Sequence, residues 1–483
     1  MLEFPKEYFR DEVRDGFLVS ETMKRSWAAH MKILDKLKVL FNKYNLTYFA
    51  EVGTALGAYR HGGFVPWDDD IDIAMLRKDF MILMEHAGEI DDDLCIRSVY
   101  NSETFMNFHA VCTHKVDILE WDDDRMRDYY GCPFICYVDI YPLDYYPRDP
   151  EKMQIFRELY YFSFKQVYDL LDIESSFNKG NLLSLGELRA MKQGKDNPEA
   201  ESASVTLKEL ELLKSYIKNY MGENIRFKED KPLRNQLCLC VEKVAQMCAE
   251  KDSDFIDYCP KIPISKKLRP RNKGWYADVK EVPFECTTIK VPVECAKALE
   301  AHYGPNYMVP IRGKAGHDYP YFRDEVTVLV GGDTGDNYVG ISEEEAEIPQ
   351  EWIEVLFRGD GTKRKITLYG LSATDVLNRG GPGINMVKNY VEEIENSPED
   401  VLLIMLAPAG LKDFMERCRL ELSGDYTRMI QDFSSMEKVI FDDNPDSREM
   451  AMAMSVADEY YGDKCRLADL CQEIGIPVTI LGY

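Results

Sequence analysis

Two α/β domains are expected from this sequence, the first interrupted by a helical insert and the second built on a small parallel sheet. Three observations lead there. At 483 residues the chain exceeds the roughly 250 to 300 residues at which a single hydrophobic core stops growing. Between about residues 150 and 260, long amphipathic stretches replace shorter strand-like runs. From near Glu351 onward, short apolar runs alternate with helical stretches, the pattern of a parallel sheet flanked by helices.

The elements follow in order. "MKILDKLKVLFNKYN" sets Ile33, Leu34, Leu37, Leu40 and Phe41 on one helical stripe and ends at turn-favouring Asn42 and Asn45. "LTYFAEV" reads as a buried strand followed by a Gly turn at Gly53 and Thr54. "DIDIAM" alternates acidic and apolar residues, as a strand with one wet face does. "CYVDIYPL" reads as a short strand broken by Pro142. The insert carries "MQIFRELYYFSFKQVYDLL" and "LKELELLKSYIKNYM", separated by the polar "KQGKDNPEAESAS". Short strands, one helix and aromatic loops come next, and "VGGDTGDNYVGISEEEAEIPQ" reads as a linker. Beyond it come "KITLYG", a helix through "VKNYVEEIEN", "VLLIML", a helix through "KDFMERCRLEL", "EKVIF", another helix and "IPVTILGY". The expected boundaries are 1–330 for the first domain with its insert at about 150–260, 331–350 for the linker and 351–483 for the second domain.

Charge narrows the partners. Lys and Arg number 59 against 85 Asp and Glu, a net −26, which argues against a general phosphate-backbone binder, so no nucleic-acid partner is expected. Any phosphorylated ligand must be held locally, by a metal or a few basic side chains. The start lacks the basic end and apolar run of a secretory signal, and nowhere do about 18 apolar residues run together. A cytoplasmic protein without a transmembrane segment is expected. The 13 Cys show no C-x-x-C pairing; Cys238 and Cys240 alternate on a helix or strand, and ordinary reduced thiols are expected.

Chemistry concentrates at "VPWDDDIDIAM". Residues two apart on a strand share a face roughly 7 Å apart, so Asp70 and Asp72 point one way and Ile71 and Ile73 toward the core. Crowded carboxylates repel unless something positive lies between them, and Mg²⁺ or Mn²⁺, which take oxygen ligands, meet that need. A calcium EF-hand is excluded, because Ile73 stands where the loop needs glycine and the upstream residues do not read as helical.

The run Gly53, Thr54, Leu56, Gly57, Arg60, His61, Pro66, Trp67, Asp68 to Asp70 and Asp72 resembles the LicD family, whose members are similar to phosphocholine transferases and related to the fukutin group. The likeness extends to "YVDIYPLD" and to "YGPNYMVP" followed by His317, from about Met31 to Phe322. It implies an α+β, nucleotidyltransferase-like mixed sheet carrying the Gly-Thr turn, the Asp-x-Asp strand and a third Asp on a neighbouring strand. Asp70 and Asp72 would then bind the metal, and Asp139 would either close the metal site or accept the proton of an incoming hydroxyl. A strand-end cap is the structural alternative for Asp139. Asp144 is expected to stabilise a turn, and Asp68 and Asp69 to orient the strand entry.

Substrate contacts follow from the same resemblance. Gly53 and Thr54 would present backbone N–H groups to a phosphate. Arg60 would make a bidentate phosphate contact or pair with the local acids, and His61 would touch ligand or make a structural hydrogen bond. Lys266, Lys267, Arg269, Arg271 and Lys273 precede Trp275 and Tyr276 where the family carries a basic, aromatic segment; Lys273 and Trp275 are the expected substrate pair, against a solvated charged face. Trp67, Trp275, Tyr319 and Tyr321 offer aromatic faces to a quaternary ammonium. His317 matches the family's late His and would contact phosphate or acceptor, or be structural.

The implied activity is Mg²⁺- or Mn²⁺-dependent transfer of phosphocholine or a related phosphoalcohol from a CDP-alcohol donor to a hydroxyl of a cell-surface glycan or glycolipid precursor, such as lipopolysaccharide or teichoic acid, with CMP leaving. Two other readings stay open: a nucleotidyltransferase moving a nucleoside monophosphate to a sugar or small acceptor, and a non-catalytic glycan-binding protein. In the C-terminal domain no Walker lysine, dinucleotide fingerprint or nucleophile elbow is complete. "NRGGPG" reads as a turn, and Asp458, Tyr461, Gly462 and Asp463 are expected to line a crevice at the strand ends. That domain would recognise the acceptor glycan or mediate assembly, a homo-oligomer included.

Overall fold

A computed structural model of the chain describes residues 2–15, 17–115, 127–132, 134–193, 198–264, 269–310, 350–358, 362–371, 373–407, 411–418, 420–442 and 447–481. His317, Tyr319, Tyr321, Lys266, Lys267 and nearly all of the expected linker lie outside the described residues. The chain forms two compact units, Met1–Phe4 with Arg25–Val65 and Asp70–Pro305, and Pro5–Lys24 with Pro66–Asp69 and Asn306–Tyr483. The architecture is a mixed α/β sheet with helical insertions, followed by a small parallel-sheet α/β domain.

A short antiparallel hairpin, β1 (Glu12–Arg14) with β2 (Phe17–Val19), leads into α1 (Glu21–Tyr44). The expected stripe is the buried one: Ile33, Leu34, Leu37, Leu40 and Phe41 are at most 4% exposed. The helix stops where Asn45 enters the left-handed region, φ 53°. Leu46 N–H then donates back to the Phe41 carbonyl at 2.8 Å, satisfying a carbonyl of the last turn.

There follow β3 (Phe49–Ala50), α2 (Val52–Arg60), β4 (Ile71–Leu76), α3 (Arg77–Glu85), β5 (Leu94–Arg97), β6 (Ala110–His114) and β7 (Tyr137–Pro147). The strands order β3-β4-β7-β6-β5; β4 and β7 are parallel and the other neighbours antiparallel. Gly53 and Thr54 thus open a helix rather than form a turn. Ala55, Leu56 and Ala58 favour helix and are buried, and Ala55 N–H reaches the Glu51 carbonyl at 3.0 Å. Pro142 does not break β7 either. It falls between the stretch paired with β6, ending at Ile140, and the stretch paired with the later strand β8, starting at Asp144, a gap where a residue without N–H is tolerated.

The insert is helical as expected: α4 (Pro150–Phe177), α5 (Leu185–Lys192), α6 (Pro198–Met221) and α7 (Leu233–Ala245). Asp149 caps α4 by accepting from Lys152 N–H at 2.9 Å, with Pro150 at the first helical position. Phe156, Leu159, Val167, Leu170, Leu213, Leu237 and Val241 share one buried cluster; each such side chain stabilises the fold by about 1.5–3 kcal/mol. Cys238 and Cys240 are buried free thiols of α7. Then come β8 (Ser253–Asp257) on the far half of β7, α8 (Lys261–Ile264), β9 (Arg271–Asn272) on β8, the hairpin β10 (Val279–Phe284) with β11 (Thr287–Pro292), and α9 (Cys295–Tyr303).

In the second unit, α10 (Gln350–Leu356), β12 (Lys365–Gly370), α11 (Ala373–Asn396), β13 (Val401–Leu406), α12 (Leu411–Cys418), α13 (Leu420–Phe433), β14 (Val439–Asp442), α14 (Ser447–Val456), β15 (Glu459–Gly462), α15 (Arg466–Glu473) and β16 (Val478–Ile480) alternate. The sheet is wholly parallel, ordered β14-β13-β12-β15-β16. All six residues of β13 are buried, as a strand covered on both faces requires. Two expectations change. "NRGGPG" lies inside α11, which breaks at Gly380 (φ 58°, ψ −141°) ahead of Pro382. Asp458 is not at the carboxyl ends of the strands with Gly462 and Asp463: it precedes β15, accepts from Ile366 N–H at 2.8 Å and pairs with Lys363 at 3.0 Å. No helix among the described residues is long and apolar enough to cross a membrane.

Candidate active site

The site is built where α2 meets β4. Asp72 N–H donates to Thr54 Oγ1 at 2.9 Å, and Glu51 N–H donates to the Asp72 carbonyl at 3.0 Å. Thr54 is 1% exposed, so its hydroxyl anchors the acidic strand to the helix. Just ahead of Gly53, Val52 has φ 35°, a left-handed conformation that a β-branched residue adopts only at a cost of about 1–2 kcal/mol.

Register does the rest. Asp72 lies directly opposite Asp139 across the parallel β4–β7 pair, and Asp139 opposite Val111 across β7–β6. Along β7, Val138 and Ile140 are buried on one side while Tyr137, Asp139 and Tyr141 line the other. The carboxylate row therefore lies on the less covered face, and Ile71 and Ile73 pack beneath it, fully buried. Asp70 and Asp72 are each 9% exposed. Burial, and after it the charges of Asp72, Asp139 and Asp70, push the Tyr141 phenol well above its usual value. That hydroxyl lies 3.5 Å from Asp139 Oδ2.

Asp68 and Asp69, expected to orient the strand entry, cluster with Asp70. One carboxylate oxygen from each of Asp68, Asp69 and Asp70 lies within 4.8 Å of the others. The three follow the turn at Pro66–Trp67, before strand alternation begins to separate neighbouring side chains. Such a cluster of hard oxygen donors could coordinate a divalent cation of the Mg²⁺ or Mn²⁺ kind. Asp72 and Asp139, expected to share the metal with Asp70, are in register with each other across β4 and β7 but do not belong to that cluster among the described residues.

Other expected residues are placed as follows. Arg60 Nε donates to His61 Nε2 at 2.8 Å at the far end of α2, six residues and roughly 9 Å of helix rise beyond Thr54. Trp67 is 9% exposed with its ring edge-on to Phe17 at 6.0 Å, so packing uses most of its surface. Trp275 is half-buried and packs against the cluster of Phe49, Ala74, Leu143, Ile256, Tyr276 and Ala298. Lys273 is not brought to the site: it donates to the Glu250 carbonyl at 2.7 Å and lies 6.0 Å from the Tyr145 ring, six residues and about 20 Å along β7 from Asp139. Arg271 is buried and committed to Glu51, to Asp257 at 3.0 Å and to the Tyr276 hydroxyl at 2.6 Å. Asp144, expected to hold a turn, sits within β7 in a bidentate pair with Arg77, at 2.8 and 2.6 Å.

Three side chains at the site were missed: His109, Tyr141 and Tyr258. His109 Nε2 lies 3.6 Å from Asp139 Oδ1, and Nδ1 lies 3.2 Å from the Tyr258 hydroxyl. Burial pushes the His109 imidazole down to about 4, so the ring is neutral near pH 7. The signal was present in "FHAVCTH", whose Ala110, Cys112 and His114 are buried and alternate with half-buried Val111 and Thr113, putting His109 on the wet face.

A protein of this kind, with an acidic strand fastened to a Gly-Thr helix start and a third carboxylate in register on the next strand, has the layout of a nucleotidyltransferase-type domain. The family model described as LicD/FKTN/FKRP, nucleotidyltransferase domain, matches residues 45–111. A LicD-like nucleotidyltransferase domain is thus present over part of the chain. The lipopolysaccharide cholinephosphotransferase LicD of Haemophilus influenzae is 28% identical over 130 residues, 27% of this chain and 47% of that protein. An uncharacterized protein of Rickettsia prowazekii is 30% identical over 112 residues, 22% of this chain and 42% of its own. One of Rickettsia typhi is 50% identical over 114 residues, 22% and 35% respectively. The chain spans less than half the length of these curated relatives.

Proposed function

We propose that residues 1–330 form a catalytic domain that transfers phosphocholine or a related phosphoalcohol from a CDP-activated donor to a hydroxyl of a cell-surface glycan or its precursor. The observation that carries this reading is the register pairing of Asp72 with Asp139 beside Asp70, within a domain similar to that of a cholinephosphotransferase. Asp70 and Asp72, with Asp68 and Asp69 alongside, would hold Mg²⁺ or Mn²⁺. Its positive charge, when bound, offsets that of the donor diphosphate. Gly53 and the first turn of α2 face their backbone N–H groups to phosphate, and Arg60 and His61 bound the same helix. Tyr141 supplies an aromatic wall beside Asp139.

In the transfer, the acceptor hydroxyl oxygen bonds to the phosphorus bearing the alcohol, and the bond from that phosphorus to the bridging oxygen breaks. CMP leaves, and the hydroxyl proton passes to the Asp139 carboxylate. Thr54 keeps Asp72 in place through its backbone and takes no part in the proton transfer. The expected C-terminal domain, residues 351–483, is assigned to acceptor recognition or assembly.

The test is incubation of the full chain with Mg²⁺ and a panel of CDP-alcohols. Release of CMP supports the reading; release of diphosphate from a nucleoside triphosphate, with none of CMP, would replace it with nucleotidyl transfer. Asp139→Asn should lose turnover and keep Mn²⁺ affinity if Asp139 is the proton acceptor. Joint loss of both would make it a metal ligand instead.

A further inference from the structure

We infer that His109 is the positioning residue for Asp139, with its orientation and tautomer fixed by Tyr258; this rests on the proposed role of Asp139 and goes beyond it. The register that sets Val111 opposite Asp139 sets His109, two residues earlier on the antiparallel neighbour, opposite Tyr141. The rings bear this out: His109 and Tyr141 centroids are 4.8 Å apart at 39°, and Tyr258 meets Tyr141 edge-on at 4.9 Å and 77°. The imidazole packs against the tilted Tyr141 ring, lies edge-on to Tyr258 at 6.2 Å and 64°, and has a polar group at each nitrogen, Asp139 Oδ1 at 3.6 Å and the Tyr258 hydroxyl at 3.2 Å.

The hydrogen-bond logic fixes the tautomer. An ionised carboxylate only accepts, so the nitrogen facing Asp139 carries the hydrogen. A neutral ring carries one, so Nδ1 accepts and the Tyr258 O–H donates to it. Burial, and after it the charges of Glu242 and Asp139, hold the Tyr258 phenol well above its usual value, which keeps it a donor. The 3.6 Å separation is looser than a formed hydrogen bond, as such pairs are before substrate binds.

Choice of a neutral donor matters for the chemistry. A guanidinium or ammonium against Asp139 would depress its basicity, whereas a neutral N–H orients the carboxylate and leaves it able to take a proton. His109 therefore aims Asp139 at the acceptor hydroxyl without quenching it. Tyr258, which follows β8 and packs against the helical insert, links that aim to the insert.

The experiment uses the full chain and the variants His109→Ala, His109→Gln and Tyr258→Phe. CMP release from CDP-choline, Mn²⁺ affinity by paramagnetic resonance and imidazole ¹⁵N shifts are measured, with thermal midpoints as the check on folding. We expect His109→Ala to lower kcat about 10–100-fold with donor KM and Mn²⁺ affinity within about twofold. His109→Gln, which keeps an N–H in reach of Asp139, should recover most of that loss. The wild-type ¹⁵N shifts should show a protonated Nε2 and a bare Nδ1, a pattern lost in Tyr258→Phe. Unchanged kcat in His109→Ala, a glutamine variant as poor as alanine, or a wild-type ring protonated at Nδ1 would each overturn the inference. A wild-type chain that releases no CMP and binds no Mn²⁺ would instead overturn the transfer reading, and this inference with it; the tautomer measurement depends on neither.

Discussion

Asp139 and Asp144, five residues apart on β7, are treated in opposite ways by the two faces of the sheet. Asp144, 2% exposed, faces the insert side, where Arg77 grips both its oxygens and also reaches Glu242 at 2.5 Å. Glu242 in turn accepts from the Tyr100 hydroxyl at 2.8 Å. Burial would lower the Arg77 guanidinium, but Asp144 and Glu242 outweigh it and push it well above its ordinary value. Asp139 faces the other way, opposite another carboxylate and against a neutral imidazole and a phenol. The difference teaches how to sort buried acids. Asp144 is an acid gripped by a buried guanidinium, whereas Asp139 is an acid set in register with a second acid, the arrangement that suits a site for an added cation.

Several substitutions would break or sharpen that contrast. On the face proposed to be catalytic, Asp72→Asn should cut CMP release by about 1,000-fold or more while the urea midpoint stays level or rises, since one repelling charge is gone. On the structural face, Arg77→Met should leave two buried carboxylates uncompensated and cost about 3–5 kcal/mol in urea unfolding. If Asp72→Asn destabilised as much as Arg77→Met, the division would fail. A smaller effect is expected at Gly57, where an added Cβ would lie 2.4 Å from the Gly63 carbonyl and 2.8 Å from Val65 N. Gly57→Ala should cost about 1–3 kcal/mol by displacing the loop that leads to Asp68–Asp70.

The smallest effect concerns acid. Burial would raise the Asp257 carboxyl, but Arg271 and Lys261 outweigh it and hold it below the ordinary value. A carboxyl lowered in the folded state stabilises above the unfolded value of about 4, and that contribution is lost as pH falls through the lower folded value. Stability measured against pH should decline in that acid window, and the part due to this group should be missing in Asp257→Asn.

Much of this was legible in the sequence because it is local. The stripe of α1, the helical insert, the strands of the parallel sheet and the alternation of Asp70 and Asp72 with Ile71 and Ile73 all depend on residues within a few positions. What escaped depends on distant partners. Arg271 looks like one charge in a basic run, yet Glu51, its partner, is 220 residues away. Arg77 meets Asp144 and Glu242 at separations of 67 and 165. His109 reaches the site only through the register of β6 on β7, which no local pattern sets. Lys273 was drawn toward substrate by its neighbours in sequence, while the fold turns it to the Glu250 carbonyl.

The central claim is that the face carrying Asp72 and Asp139 is made to receive a divalent cation. The most direct measurement is the thermal midpoint of the full chain with and without saturating Mn²⁺, for wild type and Asp72→Asn. Binding to the folded state at a hundredfold excess over Kd adds about 2.7 kcal/mol, so wild type should shift upward and Asp72→Asn should not. An equal shift in both proteins would contradict the account.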